Sequence, residues 1–279
     1  MSEHRPDTVV LVHGLWMTPR SWEHWIPYYE SKGMTVLAPG YPGFDIEVEA
    51  LREQPDLIAE LTVPEVVDHL ASVIEGLDAP PIIIGHSFGG TLTQLLLARG
   101  LGAAGVVIDS APTEGVHVSP PSQLKSLFGP AFSKPSTIHK AVAFTPEQFH
   151  YAFTNTLTEE ESQEIWERYA IAAPGNWIWA YGLFANLKPG KQETAVDYKA
   201  DRAPLLFIAG GKDHIMPASV NRSNAKHYKH SPALTEIFEF EDRDHWTCGA
   251  PGWEAVADHA LEWALEHART GPAEASSGS

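Results

Sequence analysis

One segment of the sequence combines residue types that can carry out nucleophilic catalysis. Gly85-His86-Ser87-Phe88-Gly89 matches G-x-S-x-G, with an apolar strand pattern before it and a helical pattern after it. A serine on such a strand-to-helix turn sits in a strained backbone conformation at a helix N-terminus. The positive dipole and free N–H groups of that terminus stabilise negative charge on a substrate oxygen. Ser87 is therefore the candidate nucleophile, and the N–H of Phe88 is a candidate donor of an oxyanion hole.

A second segment predicts the other half of the oxyanion hole. The apolar run that starts at Val9 ends in His13-Gly14, and a loop follows. Gly14 allows a close approach of the backbone. The N–H of Leu15 is the expected second donor, with Trp16 as the alternative. His13 is expected to hold this loop by hydrogen bonds rather than to act as a base.

These two segments, with two later ones, resemble the α/β-hydrolase superfamily. The resemblance runs from Thr8 to about Ala268 and follows the family's order of serine, acid and histidine. It implies that Asp213, which follows a buried strand and a glycine turn, orients the base. It also implies that His245, between the last strand and the last helix, is the general base. Asp109, at the end of the strand after the serine turn, is the competitor for the role of the acid.

The resemblance implies a serine hydrolase that cleaves a carboxylic ester, thioester or lactone of a small apolar molecule through an acyl-enzyme on Ser87. Cofactor-free perhydrolases (haloperoxidases) and carbon–carbon bond hydrolases use the same three residues and stay open as alternatives. The proline usual in the oxyanion loop of the perhydrolases is absent from Leu15-Trp16-Met17. A non-catalytic small-molecule receptor is the alternative of another class, because fold alone does not fix function. Neither a cofactor nor a metal is expected.

The apolar pattern predicts an α/β protein with a mostly parallel, doubly wound sheet of about six strands. Five predicted strands are continuously apolar, which is typical of strands buried on both faces, and the last alternates as at a sheet edge. The strands are predicted at Thr8–Val12, Thr35–Ala38, Pro81–Ile84, Gly105–Ile108, Leu205–Ala209 and Glu236–Phe240. The helices are predicted at Pro19–Ser31, Pro64–Glu75, Ser87–Arg99 and Trp253–Ala268.

Residues 111–203 interrupt this alternation, show no clear strand and contain 13 of the 28 aromatic residues. They predict a helical cap or lid, inserted between the fourth and fifth strands of a core formed by residues 1–110 and 204–269. An insertion there would roof the crevice in which open α/β sheets bind ligands. The expected pocket walls are Trp16, Phe144, Trp177, Trp179 and Tyr181. Residues 270–279 are small and polar and predict a disordered tail.

Composition limits the classes of partner. The 19 basic and 36 acidic residues give a net charge of −17, which excludes a general attraction for nucleic acid or anionic membranes. The single cysteine, Cys248, excludes an intramolecular disulfide and a cysteine-rich zinc site. No apolar run reaches the roughly 18–20 residues that span a bilayer, and the N-terminus lacks the apolar core of a signal peptide. We therefore expect a cytoplasmic protein that acts on a small apolar substrate, with an aromatic insertion surface that could support a homodimer.

Overall fold

The computed structural model describes residues 5–44, 46–132, 135–183 and 193–269, and the predicted disordered tail lies outside these ranges. The strands are β1 (Thr8–Val12), β2 (Thr35–Leu37), β3 (Ile82–His86), β4 (Ala104–Ile108), β5 (Ala141–Val142), β6 (Ala173–Pro174), β7 (Leu205–Gly210) and β8 (Thr235–Phe240). Six of them form a central parallel sheet in the order β2-β1-β3-β4-β7-β8. The short strands β5 and β6 pair in a separate antiparallel ribbon. The predicted α/β-hydrolase fold with six core strands is confirmed.

Helices cover both faces of this sheet. They are α1 (Trp25–Ser31), α2 (Val48–Glu53), α3 (Pro55–Ala59), α4 (Val63–Glu75), α5 (Phe88–Ala98), α6 (Pro121–Leu127), α7 (Pro146–Ala152), α8 (Glu159–Tyr169), α9 (Gly175–Trp177), α10 (Ala218–His227) and α11 (Trp253–His267). Short 3₁₀ or π segments are also present, at Pro19–Trp22, Phe128–Phe132, Pro135–His139, Ile178–Leu183 and Tyr228–His230. Alternate strand residues point to opposite faces. Val9 and Leu11 therefore pack with α1 and α11, whereas Val10 and Val12 pack with α4 and α5.

Two predicted elements differ from the structure. Strand β2 was expected to be buried on both faces, but it is the second edge of the sheet, and its side chains are exposed or half-buried. The predicted helix Pro19–Ser31 is split into a 3₁₀ turn and α1. Pro27 explains the break, because a residue without an N–H is tolerated only in the first turn of a helix. The helix must therefore begin again just before Pro27.

The insertion is the stretch of chain between β4 and β7. It contains α6 to α9, and the ribbon pairs Val142 with Ala173, which the sequence analysis missed because each strand is only two residues long. Its buried aromatic side chains belong to the same apolar core as α4 and α5. Within the described ranges, no helix is both long and apolar enough to cross a membrane.

Candidate active site

Ser87 occupies a sharp turn between β3 and α5. Its backbone has φ 56° and ψ −123°, a strained combination for a residue with a side chain. The glycines on either side make this turn possible. A Cβ at Gly85 would collide with the Gly89 carbonyl oxygen, and a Cβ at Gly89 would collide with that of Val12. The turn is fixed on the sheet by the Ser87 N–H, which donates to the Ile108 carbonyl oxygen at 2.9 Å.

The loop after β1 passes directly over Ser87. A Cβ at Gly14 would lie 2.7 Å from Ser87 Cβ and 3.3 Å from Ser87 Oγ. The peptide that follows Gly14 carries the N–H of Leu15, and the N–H of Phe88 belongs to the first residue of α5. Both predicted oxyanion donors therefore sit on peptides next to the serine. His13 donates from Nδ1 to the Gly14 carbonyl oxygen at 2.9 Å, and burial lowers its pKa to about 4, so at neutral pH it is a neutral, structural histidine.

The loops after β7 and β8 bring Asp213 and His245 together. His245 Nδ1 lies 2.6 Å from Asp213 Oδ2, and both side chains are fully buried. The other carboxylate oxygen, Asp213 Oδ1, accepts from the N–H groups of Ile215 at 2.8 Å and Met216 at 2.7 Å. These bonds place the proton of a neutral His245 on Nδ1 and leave a lone pair on Nε2.

Nε2 is the second ring nitrogen of His245. It is buried and has no hydrogen-bond partner within the described part of the chain. No hydrogen bond to Ser87 Oγ is formed there, and such contacts are often long before a substrate is bound. His86 Nε2 lies 2.9 Å from the His245 carbonyl oxygen and ties the histidine loop to the strand that carries Ser87.

Asp109 follows β4 and is also close to this site. Its side chain is fully buried, and its backbone has a φ of 47°. Oδ1 accepts from the Gly210 N–H at 2.6 Å, whereas Oδ2 has no hydrogen-bond partner within the described ranges. Burial, with the nearby charge of Asp213, raises the pKa of Asp109 well above its usual value. The structure therefore places Asp213, and not Asp109, on the imidazole.

A family model described as the alpha/beta hydrolase family matches residues 9–259, which is most of the chain. This chain belongs to the alpha/beta hydrolase family. None of the curated proteins gives a significant match. The sequence analysis reached this family from the serine turn and the histidine–glycine loop.

Solved structures share the fold of this alpha/beta hydrolase at low sequence identity. Polyneuridine aldehyde esterase has a TM-score of 0.66 and 16% identity, over 93% of this chain and 100% of that one. A methylesterase from Arabidopsis has a TM-score of 0.61 and 15% identity, over 92% and 98% of the two chains. A pyrethroid hydrolase from Sphingobium faniae has a TM-score of 0.62 and 16% identity, over 91% and 97%. At these identities the likeness shows the fold alone.

Aromatic side chains of the insertion pack against the serine turn and the loop after β1 of this alpha/beta hydrolase. The Trp177 and Tyr181 rings lie 4.9 Å and 5.7 Å from the Phe88 ring, and Phe144 lies 4.5 Å from Trp16. Trp179 instead donates from Nε1 to Thr137 Oγ1 at 3.0 Å, within the insertion. Trp177 and Tyr181 thus pack on the serine turn and Phe144 on Trp16, and the role of these residues as pocket walls stays a prediction.

Phe153 is a site residue that sequence reasoning missed. Its ring meets the His245 ring edge-on at 4.6 Å, and its carbonyl oxygen accepts from the Trp246 N–H at 2.9 Å. Nearby, Asp244 Oδ2 accepts from Thr156 through the N–H at 3.0 Å and through Oγ1 at 2.6 Å. The insertion is therefore bonded to the histidine loop. No sequence motif marks Phe153, because this contact joins segments about 90 residues apart.

Three buried groups of the site could in principle hold a metal. Potential ligand atoms of His86, Asp109 and His245 lie within 4.8 Å of one another. His245 Nδ1 bonds to Asp213, and His86 Nε2 bonds to a carbonyl oxygen. Burial lowers the pKa of His86 well below its usual value, so its ring is neutral. His245 Nε2 and Asp109 Oδ2 make no hydrogen bond within the described residues.

Proposed function

We propose that this alpha/beta hydrolase is a serine hydrolase that cleaves the carboxylic ester of a small, neutral, apolar molecule. The observation that carries the proposal is the buried 2.6 Å pair of Asp213 and His245, held by the loops beside the strained turn of Ser87. This arrangement supplies a nucleophile, a base with a free lone pair, and a group that orients the base. Thioesters and lactones would react by the same steps.

The reaction has two halves. Ser87 Oγ attacks the ester carbonyl carbon while His245 Nε2 takes the hydroxyl proton, and the N–H groups of Leu15 and Phe88 stabilise the oxyanion. His245 then donates that proton to the leaving alcohol, and an acyl-enzyme on Ser87 remains. Water, deprotonated by His245, attacks the acyl carbon, and the serine regains its proton as the acid leaves. Asp213 stabilises the imidazolium form of His245 in both halves.

The walls of the site support an apolar substrate. The Trp177 and Tyr181 rings pack on Phe88, the residue after Ser87, and the Phe153 ring packs on His245. Burial against such rings favours apolar groups. The net charge of −17 opposes the approach of anionic substrates. The similar structures named as esterases and as a pyrethroid hydrolase support ester cleavage as the chemistry.

The test is hydrolysis of p-nitrophenyl esters of increasing acyl length. We expect turnover by the wild type and a fall in kcat of about 10³-fold or more for Ser87→Ala, because the nucleophile is lost. Ser126→Ala is the matched control. It also removes a buried serine hydroxyl, whose described bond is to the Ser122 carbonyl oxygen in α6, and it should keep wild-type rates. Equal rates in the wild type and Ser87→Ala would reject the proposal. Absence of turnover on every ester would favour the receptor alternative.

A further inference from the structure

Trp16 holds a backbone conformation that is rare for a residue with a side chain. Its φ is 63°, and the residues that share a positive φ without being glycine, among those described, are Ser87 and Asp109. All three belong to the same site. Trp16 is almost fully buried, and it follows Leu15, whose N–H is the proposed oxyanion donor. Such strain persists only where the surrounding structure enforces it, and it collects at functional sites.

The ribbon of the insertion enforces this conformation. The Trp16 indole Nε1–H donates to the Val142 carbonyl oxygen at 2.9 Å. The Trp16 carbonyl oxygen accepts from the Ile171 N–H at 2.9 Å. Val142 belongs to β5, and Ile171 lies two residues before β6, so both partners come from the same paired ribbon. The backbone and the side chain of Trp16 are thus fixed by one element of the insertion.

Ring packing adds a third restraint. The Trp16 indole lies 4.5 Å from the Phe144 ring and 6.2 Å from the Phe153 ring. Phe153 in turn contacts the His245 ring. The insertion therefore contacts the oxyanion loop and the histidine loop through neighbouring side chains.

We propose that Trp16 is a positioning residue through which the β5–β6 ribbon holds the Leu15 N–H at the oxyanion site. An oxyanion donor is effective only if its direction is set before the charge develops, because reorientation during the reaction would cost free energy. The Leu15 N–H lies on the Gly14–Leu15 peptide, whose carbonyl oxygen accepts from His13 Nδ1. Because Trp16 is fixed through its indole and its carbonyl oxygen, any rotation of that peptide has to be taken up at Leu15. The insertion then belongs to the catalytic apparatus rather than only covering the substrate. This inference rests on the proposed ester hydrolysis.

The test compares two tryptophan-to-phenylalanine variants. Trp16→Phe removes the hydrogen bond to Val142 and keeps an aromatic ring. Trp166→Phe is the matched control, because the Trp166 indole donates to the Phe144 carbonyl oxygen at 3.0 Å within the insertion and has no described bond to the oxyanion loop. For Trp16→Phe we expect kcat on a p-nitrophenyl ester to fall about tenfold, with KM changed less than about twofold. Binding of a trifluoromethyl ketone, which forms a tetrahedral oxyanion on the serine, should weaken by the same factor. Trp166→Phe should leave both quantities unchanged.

A second variant separates the hydrogen bond from packing. Benzothienylalanine at position 16 replaces the indole N–H with sulfur and keeps the size of the ring, so it should reproduce the loss in kcat even if Trp16→Phe folds poorly. Equal kinetics for this variant and the wild type would overturn the inference, as would a change confined to KM. In either case the proposed function would stand, since wild-type turnover would still depend on Ser87. A wild type without turnover on any ester would instead overturn the proposed function, and the inference with it.

Discussion

Two neighbouring strands of the sheet, β4 and β7, each lead into a buried aspartate at the carboxyl edge, and only one of the two contacts the imidazole. Asp213 uses both carboxylate oxygens, one for His245 and one for two backbone N–H groups. The carboxyl group of Asp109 has a single described bond, from the Gly210 N–H, and its other oxygen has no partner within the described residues. The difference shows that placement at a strand end does not make an aspartate the catalytic acid. The hydrogen bonds that each carboxylate oxygen makes decide whether the aspartate accepts from the imidazole.

Local backbone geometry produces this difference. Gly210 and Gly211 form the turn after β7, and Cβ atoms at these positions would lie 2.7 Å from the Arg243 carbonyl oxygen and 2.5 Å from that of Glu241. The glycines thus let the turn pack tightly against the loop that carries the histidine, with Asp213 facing it. Asp109 has a left-handed backbone, and its carboxyl group bonds to the first glycine of that turn. Asp109 therefore supports the turn that presents the other aspartate.

Replacing each aspartate with asparagine should give the largest difference between the two residues. Asp213→Asn should lower kcat about 10³- to 10⁴-fold, because the imidazole loses the acceptor that fixes its tautomer and stabilises its charged form. Asp109→Asn should keep kcat within about threefold of the wild type, because asparagine resembles the protonated acid. Steady-state kinetics on the best p-nitrophenyl ester measures both. A larger loss in Asp109→Asn than in Asp213→Asn would reverse the assignment of the acid.

The two aspartates should also differ, by a smaller amount, in how they affect the stability of the fold. The pKa of Asp109 is raised by burial in the folded state, so the folded protein holds a proton that the unfolded chain releases above about pH 4. Its contribution to stability is therefore greatest at acid pH and is lost as the pH rises through the folded-state pKa. Asp109→Asn removes this penalty and should raise the free energy of unfolding at pH 7 by about 1 kcal/mol or more. The gain should vanish near pH 4.

Urea unfolding of the wild type and Asp109→Asn at the two pH values measures this effect. Asp213→Asn serves as the control, since it breaks a buried, hydrogen-bonded pair and should destabilise the protein at pH 7. A loss of stability in Asp109→Asn at pH 7 that is equal to its effect at pH 4 would show that Asp109 is ionised in the folded protein.

The sequence was sufficient to predict the central fold because the core strands are continuous apolar runs with a buried environment on both faces. The serine turn could be found because its glycines are needed to avoid local collisions, at Gly85 and Gly89. Strand β2 was assigned correctly but its burial was not, since strand order depends on pairing between distant segments.

Other features could not be predicted because they also depend on contacts between distant segments of the chain. The sequence left Asp109 and Asp213 as competitors, because the choice depends on the Gly210 N–H and the approach of the histidine loop. The contacts of Trp16 and Phe153 join residues far apart in the chain, and no local pattern encodes them. The division into a core and a lid, the homodimer and the cytoplasmic location stay predictions.

The assignment of Ser87, His245 and Asp213 is tested by the rate at which a fluorophosphonate labels the protein, with the labelled residue located by peptide mass spectrometry. We expect a single label on Ser87 in the wild type, an unchanged rate in Asp109→Asn, and a rate lowered about 10²-fold or more in Asp213→Asn and His245→Ala. Labelling of a different residue would contradict the account. A rate on Ser87 that does not depend on His245 and Asp213 would contradict it equally.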